Sequence, residues 1–245
     1  MKVFKVLLSF AAVSLLALPS LALSREEAKE KFMVEDSYEA PPGKIFDEAD
    51  YLNGTSNFKG YTNVIVINKK DQGPGAQTLR LYTNGELVLT TKASTGLENL
   101  EYVTPFKGFI RKFGRGSRAS HWRHTTSGVY TVKRVEGPNY KSRESKFTMP
   151  YAMFFNDKRG LAVHAVPPDL SGGEAGGERA LGQRASSGCI RVHKNVVQQI
   201  HQAVTSAGIG ETPVLDTRTG NYVLESNGQR AYQNSYKTIV IVEEY

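Results

Sequence analysis

From Thr62 onward the chain is written in short β-branched runs separated by turn residues, and that punctuation points to a sheet-built core. Asn63-Val64-Ile65-Val66-Ile67-Asn68 is the first run. Thr78 to Tyr82 and Glu86 to Lys92 follow, joined through Asn84-Gly85, the dipeptide that tight hairpins favour. Gly128 to Val135, Ala152 to Phe155 and Leu161 to Val166 predict further strands. After Val214, Tyr222-Val223-Leu224 and Thr238 to Glu243 predict a hairpin packed on the main sheet. One helix stands out, His193 to Ala207. Its Val196, Val197, Ile200, Ala203 and Val204 recur at three- and four-residue spacing, and Gly208 follows as a stop. The expected class is mainly β.

The N-terminal part is organised differently. Lys2 and Lys5 precede an apolar run from Val6 to Leu18 and small residues at Ser20 to Ala22, the pattern of a secretory signal. The run is shorter than the ~20 residues of a membrane-spanning helix. No Cys follows it to accept a lipid, so a soluble periplasmic or secreted form is expected, with no stable membrane span. Arg25, Glu26, Glu27, Lys29, Glu30 and Lys31, then Pro41 and Pro42, predict a short amphipathic helix and an extended lead-in. The expected organisation is a signal peptide at 1–22, a lead-in at 23–60, one main domain at 61–215 and a β extension at 216–245.

Losing residues 1–22 removes two lysines and no acid, which takes the formal net charge from +7 to +5. Such a surplus suits an anionic wall polymer and also an ordinary solvated surface. Nucleic acid is not expected as a partner: no basic repeat is interleaved with aromatics, and one Cys cannot form a zinc knuckle.

That one Cys, Cys189, decides the chemistry. Exported proteins normally use cysteines in pairs, so a single one is a buried inert thiol, an intermolecular link or a reactive group. Its setting is Arg184-Ala185-Ser186-Ser187-Gly188-Cys189-Ile190-Arg191-Val192-His193. Gly188 lets the backbone turn sharply before the thiol. Arg191 and the helix start nearby offer the positive potential that favours a thiolate.

Taken with the rest of the chain, this segment resembles the L,D-transpeptidase (YkuD-type) family. The residues that carry the likeness are His164-Ala165 and Ser186-Ser187-Gly188-Cys189-Ile190-Arg191. Ala93-Ser94-Thr95-Gly96, Thr126-Ser127-Gly128-Val129-Tyr130 and Met149-Pro150-Tyr151 fall in the family's order. Three departures stand out. Ala165 replaces a usual glycine, Ser187 stands where many members have histidine, and His164 lies 25 positions before Cys189, a longer spacer whose paired glycines imply an enlarged or mobile rim.

The resemblance implies a β-sandwich or open barrel with its main helix after the catalytic Cys. It also implies a cofactor-free enzyme acting on peptidoglycan stem peptides. Cys189 would attack the third residue of a tetrapeptide stem, with His164 as base, and a carbapenem-type inhibitor would acylate the same thiol. Cys189 N–H would stabilise the oxyanion together with Gly188 or Ser187, and Arg191 would shape the site or meet a substrate carboxylate. Substrate contacts are assigned to Ser186, Tyr151 and Met153, and to a basic aromatic loop over the cleft through His121 and Trp122. His121 and His124 sit three apart, but a zinc site needs more ligands than this pair, so no metal is expected. An L,D-carboxypeptidase, a stem-peptide hydrolase or exchange enzyme, and a silent wall-binding protein are the alternatives.

Overall fold

The computed structural model describes residues 24–32, 39–103, 118–143 and 146–245; the segment expected to be a signal peptide lies outside them. Two sheets face each other. In the larger, β3 (Glu86–Lys92), β2 (Thr78–Thr83), β1 (Asn63–Asn68), β13 (Thr238–Glu243) and β6 (Gly128–Thr131) are neighbours in that order. The smaller has the order β10 (Ile190–Val192), β9 (Leu161–Ala165), β8 (Met153–Asn156), β7 (Arg134–Val135). Two separate pairs complete the strands, β4 (Leu100–Val103) with β5 (Arg118–Trp122) and β11 (Ile209–Pro213) with β12 (Tyr232–Tyr236). The mainly β expectation agrees with this architecture.

The main core lies between the sheets. Ile65, Ile67, Leu79, Leu81, Val240 and Val242 from the larger sheet meet Met153, Phe155, Leu161, Val163, Ala165, Ile190 and Val192 from the smaller. A helix, Lys194–Ala207, closes one end with Val197, Ile200 and Val204. It begins one residue later than expected because His193 is its N-cap, Nδ1 accepting from Asn195 N–H at 3.2 Å.

Strands β1 and β13 are buried at every position, so they read as continuous apolar runs and not as alternation. The cover for the outer face of the larger sheet comes from the lead-in. Phe46, Tyr51, Phe58 and Tyr61 pack on Val64, Val66, Tyr82, Val129, Ile239 and Ile241. Glu243, itself buried, fixes the approach by accepting the N–H groups of Ile45 and Phe46 at 2.8 and 2.9 Å. Removing one ring should loosen this cover. Phe46→Ala is expected to cost about 3–5 kcal/mol, read as a lower urea midpoint, because its ring touches those of Tyr51, Phe58 and Tyr82.

Of the stretch expected to be a C-terminal extension, the last strand, β13, lies within the larger sheet, whereas β12 pairs with β11 outside it. β13 runs parallel to β1 through six paired positions and is flanked by β6 on its other edge, so the sheet cannot form without it. Lead-in and C-terminal strand are therefore integral to one core.

Candidate active site

The outer face of the smaller sheet brings the expected catalytic residues together. β9 and β10 are parallel, with Val163 opposite Ile190 and His164 opposite Arg191. Leu161, Val163 and Ala165 point into the main core, so Ala162 and His164 point outward. Cys189 stands one residue before β10 and packs with Ala162, Phe154, Ala152 and Met149 on that same outward face. Thiol, imidazole and guanidinium are thus brought to one surface. The thiol lies one strand across and two positions along from His164, about 7–8 Å at the backbone.

The turn before the thiol is held from several sides. Gly188 has φ +136°, and a side chain there would bring its Cβ within 2.7 Å of the His124 carbonyl oxygen. Ser186 Oγ accepts from Gly188 N–H at 3.0 Å and donates to Cys189 O at 2.5 Å. Thr125 Oγ1 donates to Gly188 O at 2.6 Å and accepts from Gly96 N–H at 2.8 Å. The Ser94-Thr95-Gly96 turn is stitched to the same loop: Ser186 N–H reaches Thr95 O at 3.0 Å and Ser94 pairs with Arg191.

Charge at the site follows from burial. His164 is 2% exposed, and its Nδ1 meets Ala165 O at 2.6 Å. A carbonyl only accepts, so the proton sits on Nδ1 and Nε2 is left as the basic nitrogen. Burial first, then the Arg191 charge, push the imidazole down to about 3, while the Ala165 bond opposes them. The Cys189 thiol is half-buried and donates to Gly160 O at 3.6 Å. Burial raises its pKa, while the N–H of Ala162 and the charge of Arg191 work against the rise. Both groups rest neutral. Arg191 Nη1 donates to Ala185 O at 3.0 Å, and its buried Nε has no hydrogen-bond partner among the described residues. The helix start is not close: β10 separates it from Cys189 by three residues, about 10 Å.

These residues fall within a longer match. The profile of the YkuD family, described as the L,D-transpeptidase catalytic domain, matches residues 62–241. The chain belongs to that family. Solved structures similar to this L,D-transpeptidase domain include one from Xylanimonas cellulosilytica, with TM-score 0.40 and 17% identity over 74% of this chain and 60% of that one. An L,D-transpeptidase from Mycobacterium tuberculosis gives 0.41 and 18% over 75% and 58%. L,D-transpeptidase 3 from the same organism, solved with a faropenem-derived adduct, gives 0.41 and 18% over 75% and 61%. The chain thus spans about three fifths of the length of these relatives. No curated protein sequence matches it.

Several expected site residues of this L,D-transpeptidase domain stand elsewhere. Met153 is fully buried in the inner core, on the face opposite the thiol, and cannot touch a substrate. Trp122 is 2% exposed with its Nε1 donating to Glu98, so it is a packed side chain and not a loop over the cleft. Tyr151, at φ +59°, packs against the inner core; its hydroxyl accepts from Gln198 and its ring meets that of His201. His121 pairs with Glu101 at 2.8 Å. Ser186 is buried in the loop and Ser187 is exposed. Ala165 causes no obstruction, because its Cβ points into the main core.

Other contacts escaped the sequence. His124 is gripped by Glu98 through Nδ1 and Glu39 through Nε2, each at 2.6 Å, across 26 and 85 residues. The pairing holds the Glu39 carboxyl down to about 2 against the opposing effect of burial, with Lys69 and Ser127 N–H assisting. A polar cavity of about 460 Å³ borders this clasp; neither Cys189 nor His164 lines it. The long rim between His164 and Cys189 is enlarged by a short helix, Gly173–Arg179, and is tied down where Gly182 N–H donates to Ala93 O and Ser94 Oγ to Ala180 O.

Proposed function

We propose that the protein is an exported L,D-transpeptidase that acts on peptidoglycan tetrapeptide stems through a thioester on Cys189. One observation carries the reading: a neutral imidazole, its tautomer fixed by Ala165 O, shares a sheet face with the chain's single thiol. His164 Nε2 takes the thiol proton as Sγ bonds to the carbonyl carbon of the third stem residue. The carbonyl electron pair moves onto oxygen, where Cys189 N–H and Ser187 N–H receive it. Gly188 N–H is already given to Ser186 Oγ, so Ser187 is the better second donor.

Collapse of this intermediate breaks the carbon–nitrogen bond, and the proton on His164 passes to the departing D-alanine amine. A second stem's amine, or a free D-amino acid, then attacks the thioester and regenerates the thiol. Arg191 favours negative sulfur over positive imidazole, because its charge lowers the pKa of both groups. The catalytic steps draw only on the chain's own groups.

Incubating the protein lacking residues 1–22 with disaccharide-tetrapeptide and following mass tests the reading. The expected products are a cross-linked dimer and free alanine. A shortened monomer alone would make the protein an L,D-carboxypeptidase, and unchanged substrate would leave a wall-binding protein. A carbapenem is expected to add its mass to the peptide that contains Cys189 after digestion. An unmodified thiol after long exposure counts against the mechanism.

A further inference from the structure

The peptide group between Gly188 and Cys189 has two ends, and only one of them meets the oxyanion. Its N–H, that of Cys189, faces the developing oxyanion. Its carbonyl, that of Gly188, accepts the Thr125 hydroxyl at 2.6 Å. We propose that Thr125 is a positioning residue for the oxyanion site, the middle member of a relay that runs from Gly96 N–H through Thr125 Oγ1 to Gly188 C=O and ends at Cys189 N–H. The proposal rests on the assignment of Cys189 as nucleophile.

Three observations carry it. Thr125 is fully buried, so no water substitutes for its hydroxyl, and Oγ1 already accepts Gly96 N–H at 2.8 Å. With that lone pair engaged, the single O–H proton is left to Gly188 O. A carbonyl that accepts a short hydrogen bond polarises its amide and makes the N–H at the other end a better donor. The bond also fixes the tilt of a peptide plane that glycine would otherwise leave free, since Gly188 sits at φ +136°.

The segment bearing Thr125 is itself immobilised from both flanks. A Cβ on Gly96 would lie 2.9 Å from Arg123 O and Thr125 N, and one on Gly188 would lie 2.7 Å from His124 O. The Ser94-Thr95-Gly96 turn and the nucleophile loop therefore close on residues 123–125 like two jaws. His124, held between Glu39 and Glu98, anchors the segment away from the thiol. This arrangement gives the Ser-Thr-Gly turn a part in the chemistry although none of its side chains faces Cys189.

The test compares two reagents on the same thiol. A carbapenem acylates by forming a bond from Sγ to the lactam carbonyl carbon, through an oxyanion, with the ring carbon–nitrogen bond breaking and the proton going to that nitrogen. Iodoacetamide alkylates by displacing iodide at carbon, and no oxyanion forms. Thr125→Val is expected to slow acylation about 10- to 100-fold, short of the roughly 10²- to 10³-fold that loss of a whole oxyanion donor costs. Alkylation should stay within about threefold of the wild type, and Thr125→Ser should restore acylation to a similar margin.

Thr125→Ala carries the same expectation and stands in if the valine variant does not fold. Equal acylation of wild type and valine variant, or equal slowing of both reagents, overturns the relay. A wild type that alkylates yet never acylates removes the nucleophile assignment and the relay together, which separates the two failures.

Discussion

Cys189→Ala is expected to take up no acyl group from any donor, and His164→Gln to acylate about 10²- to 10⁴-fold more slowly than the wild type near neutral pH. Wild type and His164→Gln differ in how they respond to pH. In the wild type the imidazole is neutral down to about 3 and the thiol stays protonated well above neutrality, so neutral base and neutral thiol coexist throughout the range between. Acylation should be nearly flat from about pH 5 to pH 8, with no step where an exposed histidine, near 6.5, would protonate. Without the base, His164→Gln must wait for the thiolate. Its rate should climb about tenfold per pH unit until the thiol pKa is reached. Rate constants from mass time courses across that range decide the matter, and a wild-type acid limb centred near 6.5 would show that the imidazole is not held neutral.

The same shift has a consequence for stability. An unfolded chain binds a proton on histidine below about 6.5, whereas folded His164 does not bind one until about 3. Between those values the unfolded state holds more protons, so stability is full above about 6.5 and falls as the pH drops, by up to about 1.4 kcal/mol per unit. Glu39 adds a second loss lower down, because its folded pKa of about 2 lies under the ordinary 4.5. Buried Glu243 works in the opposite direction, its pKa being raised. The difference between wild type and His164→Gln cancels both glutamates. That difference isolates the imidazole between pH 6.5 and 4.5.

Much of this was readable along the chain. The runs Asn63–Asn68, Glu86–Lys92 and Thr238–Glu243 were expected at their observed bounds, because β-branched clusters and turn pairs are local signals. Cys189 and His164 were marked by motif order. What stayed hidden depends on pairing between distant segments. Nothing near Thr238 says that its strand will lie beside Asn63, and nothing near Glu39 says that it will reach His124. Met153 shows the complementary error. Strand alternation puts successive side chains on opposite faces, and only the packed sheet reveals that Ala152 and Phe154 belong with the thiol while Met153 belongs to the inner core.

Gly188→Ala should be among the most damaging single changes of one methyl group. The added Cβ meets the His124 carbonyl at 2.7 Å and Leu161 Cδ2 at 2.9 Å, and the φ of +136° is one that L side chains rarely adopt. Leu161 can rotate; the carbonyl cannot, since its segment is clamped by Gly96 and by the two carboxylates on His124. The loop must move instead, at a cost of roughly 2–4 kcal/mol in stability. Moving it turns Cys189 N–H away, so acylation per folded molecule should drop about 10²- to 10³-fold. Ala165→Gly supplies the control from the other side of the same sheet. Its methyl lies in the inner core, so deleting it should cost about 1 kcal/mol and leave acylation within about twofold. Urea midpoints paired with carbapenem acylation rates separate the two effects. Wild-type acylation by folded Gly188→Ala would mean that the close contact between this loop and the His124 carbonyl does not set the reactive geometry.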